Sequence, residues 1–195
     1  MAEGRLAQYL VAAAVSLAAM VHGFAGAWSA PVIPMFHNNE TAINITDEEI
    51  SWVAALTAPG FMVGSLVTRF ISDGFGRRAV ILSSAVPIVI GTIIILSTTT
   101  AWYLYATRLL WGVGTGMIAT VSAMYLAEVS DTEIRGRVTS SYRYMRSFGS
   151  FLILLVGPFV SYNTINFLFL ILPICYFIAC CFISESPYYL LKEGK

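Results

Sequence analysis

Long apolar runs alternate with short polar segments along the whole chain. Six of them, 6–32, 50–70, 79–96, 102–127, 140–160 and 165–183, come close to or exceed the roughly 20 residues a helix needs to cross a hydrocarbon core about 30 Å thick. The runs are continuously apolar and do not alternate with period 2, so they predict helices and not barrel strands. The polar segments between them are short, and no length remains for a soluble domain. Pro31 and Pro34 close the first run, as expected at a helix end. Ahead of the second, Thr46 and Glu49 have the spacing of a capping box.

Composition strengthens this picture. Of the 195 residues, 57% are apolar and 11% charged, against roughly 45–50% and 25% in soluble domains. Such a chain has too little polar surface to face water on all sides, and intrinsic disorder is excluded by the same imbalance. Lys and Arg total 11, Asp and Glu total 11, and the longest basic block is Arg77-Arg78. No nucleic-acid partner is expected from that balance, and membrane lipid is. The expected fold class is an all-α membrane protein with six transmembrane helices.

The charges also orient the helices. Arg5, then Arg69, Arg77 and Arg78, then Arg135 and Arg137, then Lys192 and Lys195 fall on one side of the predicted topology. Segments 36–49, 97–101 and 161–164, on the other side, contain neither Lys nor Arg. Basic loops stay inside, so both termini are expected to be cytoplasmic and loop 36–49 extracellular. That loop holds two acceptor sequons, at Asn39 and Asn44, which are expected to carry glycans. A second reading of the N-terminus remains: Arg5, the apolar run to Val21 and the small residues 25–30 resemble a cleaved signal peptide, which would leave the remaining topology unchanged. Cys175, Cys180 and Cys181 all lie in the sixth run, as packing residues. Two histidines and no Ser-His, Cys-His or metal-ligand grouping make an enzyme the weakest class. No catalytic residue, metal or cofactor is expected.

The basic side carries the distinctive motifs. Ser72-Asp73-Gly74-Phe75-Gly76-Arg77-Arg78 joins the second and third runs, with glycines for a tight turn and arginines that can meet Asp73 or acids on a neighbouring loop. Along the fourth run, Gly112 and Gly116 share one helix face, a small-xxx-small surface for close packing. Arg108 lies about two turns into this run, deep enough to face protein in preference to lipid. Glu128 to Arg137 then supply acids that could meet Arg77 and Arg78.

Together these pieces resemble the sugar porter family of the major facilitator superfamily, and within it the insect trehalose-type facilitators. Asp73-Gly74-Phe75-Gly76-Arg77-Arg78 is similar to the family's D-x-x-G-R-R element. Leu110, Gly112, Val113, Gly116, Tyr125, Glu128 and Arg135 fit its second signature. Glu185-Ser186-Pro187 with Leu190 resembles its E-S-P-x-x-L element, and Ser51-Trp52 opens the second run as in the trehalose type. The resemblance implies a twelve-helix transporter, of which this chain is the N-terminal six-helix half. It further implies a multi-pass protein, expected in the plasma membrane, that moves a small polar solute by alternating access. Asp73, Arg77, Arg78, Glu128, Arg135 and Glu185 would form its cytoplasmic gate. The half alone is expected to be inactive, and to need its C-terminal half or self-association.

Four positions depart from the family pattern. Arg69 replaces a glycine and Ser184 a proline. Arg143 stands where a sugar-contacting glutamine is expected, and Arg146 occupies a cavity position three residues on. At 100° per residue Thr139, Arg143, Arg146, Ser147, Ser150 and Gly157 fall within roughly a 100° arc. That stripe either faces a water-filled cavity, making Arg143, Arg146, Ser147 and Ser150 the substrate candidates, or lets the arginines snorkel to headgroups. Facing a cavity, two guanidiniums favour an anionic or strongly hydrogen-bonding solute. His22 in the first run could titrate near neutral pH or simply pack as a hydrogen-bonded helix residue. The alternative function is a non-transporting or regulatory half-transporter that binds a partner through the face normally covered by the second half.

Overall fold

The structure, a computed structural model, describes residues 2–38, 40–41, 43–97 and 100–183, with side chains from Gln8 onward. Its regular structure is helical throughout: α1 (Ala2–Ala27), α2 (Ser29–His37), α3 (Asp47–Ala55), α4 (Thr57–Phe75), α5 (Arg77–Ser97), α6 (Ala101–Val129), α7 (Arg135–Val156) and α8 (Tyr162–Cys181), with one 3-10 turn at Gly157–Phe159. Among the described residues five helical stretches are long and apolar enough to cross a membrane, and α1 with α2, like α3 with α4, counts as one of them. The stretch between α6 and α8 is α7. Its first turns carry Arg135, Arg137, Arg143 and Arg146, so only its second half is strongly apolar.

The first two spans are interrupted, each for the same reason. Proline lacks an N–H and crowds the carbonyl four residues earlier. Pro31 therefore leaves the Ala27 carbonyl unbonded, and Pro59 that of Ala55. The helices break right there, at Trp28 and at Leu56. Sequence reasoning expected the first span to end at Pro31 and Pro34. It continues to His37 instead: Pro31 sits in the first turn of α2, where a missing N–H costs little, and Pro34 lies inside that helix. The second span starts at Asp47, three residues earlier than the apolar run. Thr46 accepts from the Glu49 N–H while the Glu49 carboxylate accepts from the Thr46 N–H, which completes the expected capping box.

Glycines set how closely the spans approach. α4 packs along α6 and α1 along α7, while α5 lies against α6 and α8, and α8 against α1. A Cβ on Gly64 would overlap the Val113 carbonyl, one on Gly112 the Thr57 carbonyl, and one on Gly116 that of Phe61. The expected small face of Gly112 and Gly116 thus meets a matching pair, Gly60 and Gly64, on α4. Gly23 and Gly149 play the same part between α1 and α7. At the centre, Trp28 meets Trp111 edge-on at 5.4 Å, and Phe169 touches Trp111 at 4.6 Å and Phe24 at 4.8 Å. Both indole N–H groups are satisfied, Trp28 by Asn166 at 2.8 Å and Trp111 by Thr92 at 3.1 Å. Away from water that satisfaction is worth several kcal/mol.

Candidate functional site

Between the two glycine-packed pairs lies a cavity of about 830 Å³. Its walls come from four spans: His22, Gly26 and Ser29 from the first, Thr57, Ala58, Phe61 and Met62 with Ala54 from the second, Arg108, Thr115 and Ala119 from α6, and Tyr142 with Arg146 from α7. Both helix breaks open onto it. Small side chains leave the space, and hydroxyl, imidazole and guanidinium groups line it.

Arg108 is its most buried charge, 3% exposed. Nε donates to the Val53 carbonyl at 2.9 Å, Nη1 to the Ala25 carbonyl at 3.2 Å and Nη2 to Ser29 Oγ at 2.6 Å. The guanidinium also lies 5.2 Å from the Trp28 ring centroid, a cation–π contact. Val53 lies in the last turn before one break, Ala25 in the last turn before the other, and Ser29 just beyond it. One planar fork on α6 therefore ties together the two helices that prolines have opened. Sequence reasoning placed Arg108 against protein, and it does face protein.

Of the α7 candidates, only Arg146 lines the cavity. Arg143 and Ser147, four residues apart, share an exposed face turned off the cavity lining. Ser150 donates to the Gly23 carbonyl at 2.9 Å and belongs to the α1 contact. The expected arc was set too far round the helix, because Gly149 and not the polar stripe fixes which side of α7 meets α1. The cavity side is centred on Arg146 and Tyr142, one turn apart. Tyr142 was missed, although its place four residues before Arg146 put it on the same face. Its hydroxyl lies 3.0 Å from His22 Nδ1. Ser29, Thr57 and Thr115 were missed as well, and nothing in their local sequence separates them from packing residues.

A second cluster sits at the end where α4 turns into α5. Gly76 alone joins those helices, at φ 89°, in the left-handed region that glycine enters freely. That tight turn presents Arg77 to Glu128 on α6. Nε donates to both carboxylate oxygens at 3.1 and 3.2 Å, and Nη2 lies 3.0 Å from Oε1. Nη1 donates to the Ser72 carbonyl at 2.8 Å and lies 3.8 Å from Asp73. Arg78 instead donates to the Cys180 and Cys181 carbonyls at the end of α8, at 3.4 and 2.6 Å, where a cation suits the helix dipole. Arg135, expected in the same network, turns to the Ser130 carbonyl of its own loop at 3.4 Å, since it opens α7 on the exposed side. Glu185 lies outside the described residues.

Arg77 stands at a helix N-terminus and Glu128 near a C-terminus, each on the unfavourable end of its helix dipole. Their mutual bond offsets that cost. Reversing either charge alone should destabilise by about 3–5 kcal/mol, as for a broken buried pair. Exchanging both, Arg77→Glu with Glu128→Arg, should recover part of the loss, because each charge then suits its helix end while the carboxylate at 77 faces the Ser72 carbonyl and Asp73. Thermal unfolding in detergent measures this, and additive losses would show that the pair is not coupled.

Comparison with known proteins gives a consistent answer. The sequence model of the family described as Sugar (and other) transporter matches residues 11–195. A facilitated trehalose transporter of Polypedilum vanderplanki is 28% identical over 96% of this chain and 38% of its own length. The facilitated glucose transporter member 8 of solute carrier family 2 from Bos taurus is 28% identical over 96% of this chain and 39% of its own. Thus the chain spans well under half the length of these relatives. In fold, it is similar to a D-xylose-proton symporter, with TM-score 0.81 at 18% identity over 95% of this chain and 50% of that one. A proton:xylose symporter of the major facilitator superfamily bound to 6-bromo-6-deoxy-D-glucose gives TM-score 0.85 at 18% identity, covering 98% and 48%.

Proposed function

Because this chain belongs to the sugar (and other) transporter family, we propose that it forms one six-helix wall of a solute carrier working by alternating access. The observation that carries the reading is the cavity of about 830 Å³ with polar side chains from four spans. Hydroxyls of Ser29 and Tyr142 with the His22 imidazole offer a polyol hydrogen bonds it loses on leaving water. A cluster of such groups inside an apolar bundle marks a solute path in membrane proteins. A second six-helix unit completes the cavity from the opposite side, since substrate sites of this superfamily lie between parallel halves. In this proposal the 1–195 unit alone is inactive, and pairs with a C-terminal half or with itself. Arg77, Glu128 and Asp73 hold one conformer of the gate.

The test is uptake of labelled glucose, trehalose and organic anions by oocytes co-expressing residues 1–195 with the C-terminal half of a facilitated trehalose transporter, with surface labelling to count molecules and the 1–195 unit alone as control. Saturable uptake above uninjected cells supports the reading, and none at normal surface density sinks it. We further place the protein in the plasma membrane, both termini cytosolic and Asn44 outside. Asn44 is exposed, between α2 and α3, and Asn39 lies outside the described residues. A glycosidase-sensitive mass that shrinks in Asn44→Gln is the expected result. Externally cleavable terminal tags on an uncut chain would reverse the orientation.

A further inference from the structure

The charge lining the cavity is one-sided. Arg108 and Arg146 contribute two guanidiniums, and no Asp or Glu stands among the lining residues. Arg108 uses one N–H on each of its three nitrogens, which leaves two of its five N–H bonds without an acceptor. Arg146 is exposed to the cavity and makes no ion pair with any described residue. Buried positive charge in a membrane protein costs free energy unless an anion meets it. Among the described residues, no carboxylate lines the cavity to meet it.

We propose that the transported solute is a small hydroxylated carboxylate, a sugar acid in preference to a neutral sugar. Arg146 holds the carboxylate and the hydroxyls of Tyr142 and Ser29 hold the polyol body. The proposal rests on the transporter reading above and deepens it. Arg146 is the specificity residue because its fork is unengaged, whereas Arg108 is fixed by three acceptors and contributes field without reorienting. A guanidinium presents paired N–H donors at the spacing of carboxylate oxygens, a match a neutral sugar cannot use. The Tyr142 hydroxyl, held by His22 at 3.0 Å, stands one helical turn away on the same face.

D-glucuronate and D-glucose are suitable probes, since they differ only at the sixth carbon. Uptake of each is measured in oocytes co-expressing the same C-terminal half with wild type, Arg146→Gln or Arg146→Lys, normalised to surface protein. Wild type is expected to prefer glucuronate. Arg146→Gln should raise the glucuronate KM about tenfold or more, the loss of a charged hydrogen-bond partner, and affect the glucose KM less, so that the preference between the two probes shifts towards glucose. Arg146→Lys should fall between. Glucose uptake with no glucuronate uptake overturns the anion proposal and leaves the transporter reading standing. So does an Arg146→Gln variant with an unchanged ratio of the two, which would mean the side chain reaches to headgroups. Entry of neither probe at normal surface density removes both.

Discussion

Gly23→Ala is expected to cost the protein about 1–3 kcal/mol or more, and Gly26→Ala, three residues away on the same helix, to cost nothing. A Cβ on Gly23 would lie on the Arg146 carbonyl and against the Ser150 backbone, whereas one on Gly26 meets nothing within 4 Å. The obstacle at Gly23 is main chain, which cannot change rotamer, so α1 and α7 must part along their length. With them would go the Ser150 bond to the Gly23 carbonyl and the placement of Arg146. Free of a clash, alanine is a better helix former than glycine by about 1 kcal/mol, so Gly26→Ala should be neutral or slightly stabilising. Melting temperatures of the two purified variants give opposite signs if contact distance is what glycine supplies. Equal losses would mean that backbone flexibility is the relevant property.

Arg108 provides the second large effect. Arg108→Lys is expected to destabilise by about 2–4 kcal/mol despite keeping the charge, since each hydrogen bond from a charged donor contributes about 1.5–3 kcal/mol. An ammonium is a point donor on a flexible stem and cannot reach Val53, Ala25 and Ser29 in one geometry, as the planar fork does. Lys would retain the desolvation cost of a cation and lose acceptors. Arg108→Met removes that cost together with the bonds, so it should unfold no earlier than the lysine variant. A lysine variant as stable as wild type would show that charge, and not geometry, holds the broken helices together.

What the sequence allowed to be read was whatever depends on local periodicity or on one residue's own chemistry. Runs of apolar residues located the spans, Thr46 and Glu49 located a helix start, and Gly112 and Gly116 announced a close contact. Which helix makes that contact was not legible, although Gly60 and Gly64 repeat the same spacing on α4. The Arg77–Glu128 pair was within the expected set, but the choice of Arg77 over Arg78 depends on the left-handed turn at Gly76. The α7 face was misjudged because polarity alone cannot tell a cavity side from an exposed side. Rotation about that helix is set by Gly149 against Met20, a contact between residues far apart in the chain. Prolines were read as terminators, yet Pro31 only interrupts, since it falls in the first turn of the next helix, and Pro34 lies inside that helix.

The partnering of the spans constrains the order in which this protein can be assembled. The first span packs on the fifth and the second on the fourth, so the glycine contacts join an early helix to a late one. When α1 leaves the ribosome, the Arg146 carbonyl that Gly23 must touch is more than a hundred residues from being made. Until then α1 must wait in the bilayer with Ser16 lacking Ser141 and His22 lacking Tyr142, and α4 must wait for α6 in the same way. The first three helices thus have no finished core of their own. A chaperone or the insertion machinery that shields small polar helix faces has its longest task with this first span. Chains stalled before α7 should be recognised as unassembled and destroyed, however well each helix inserts.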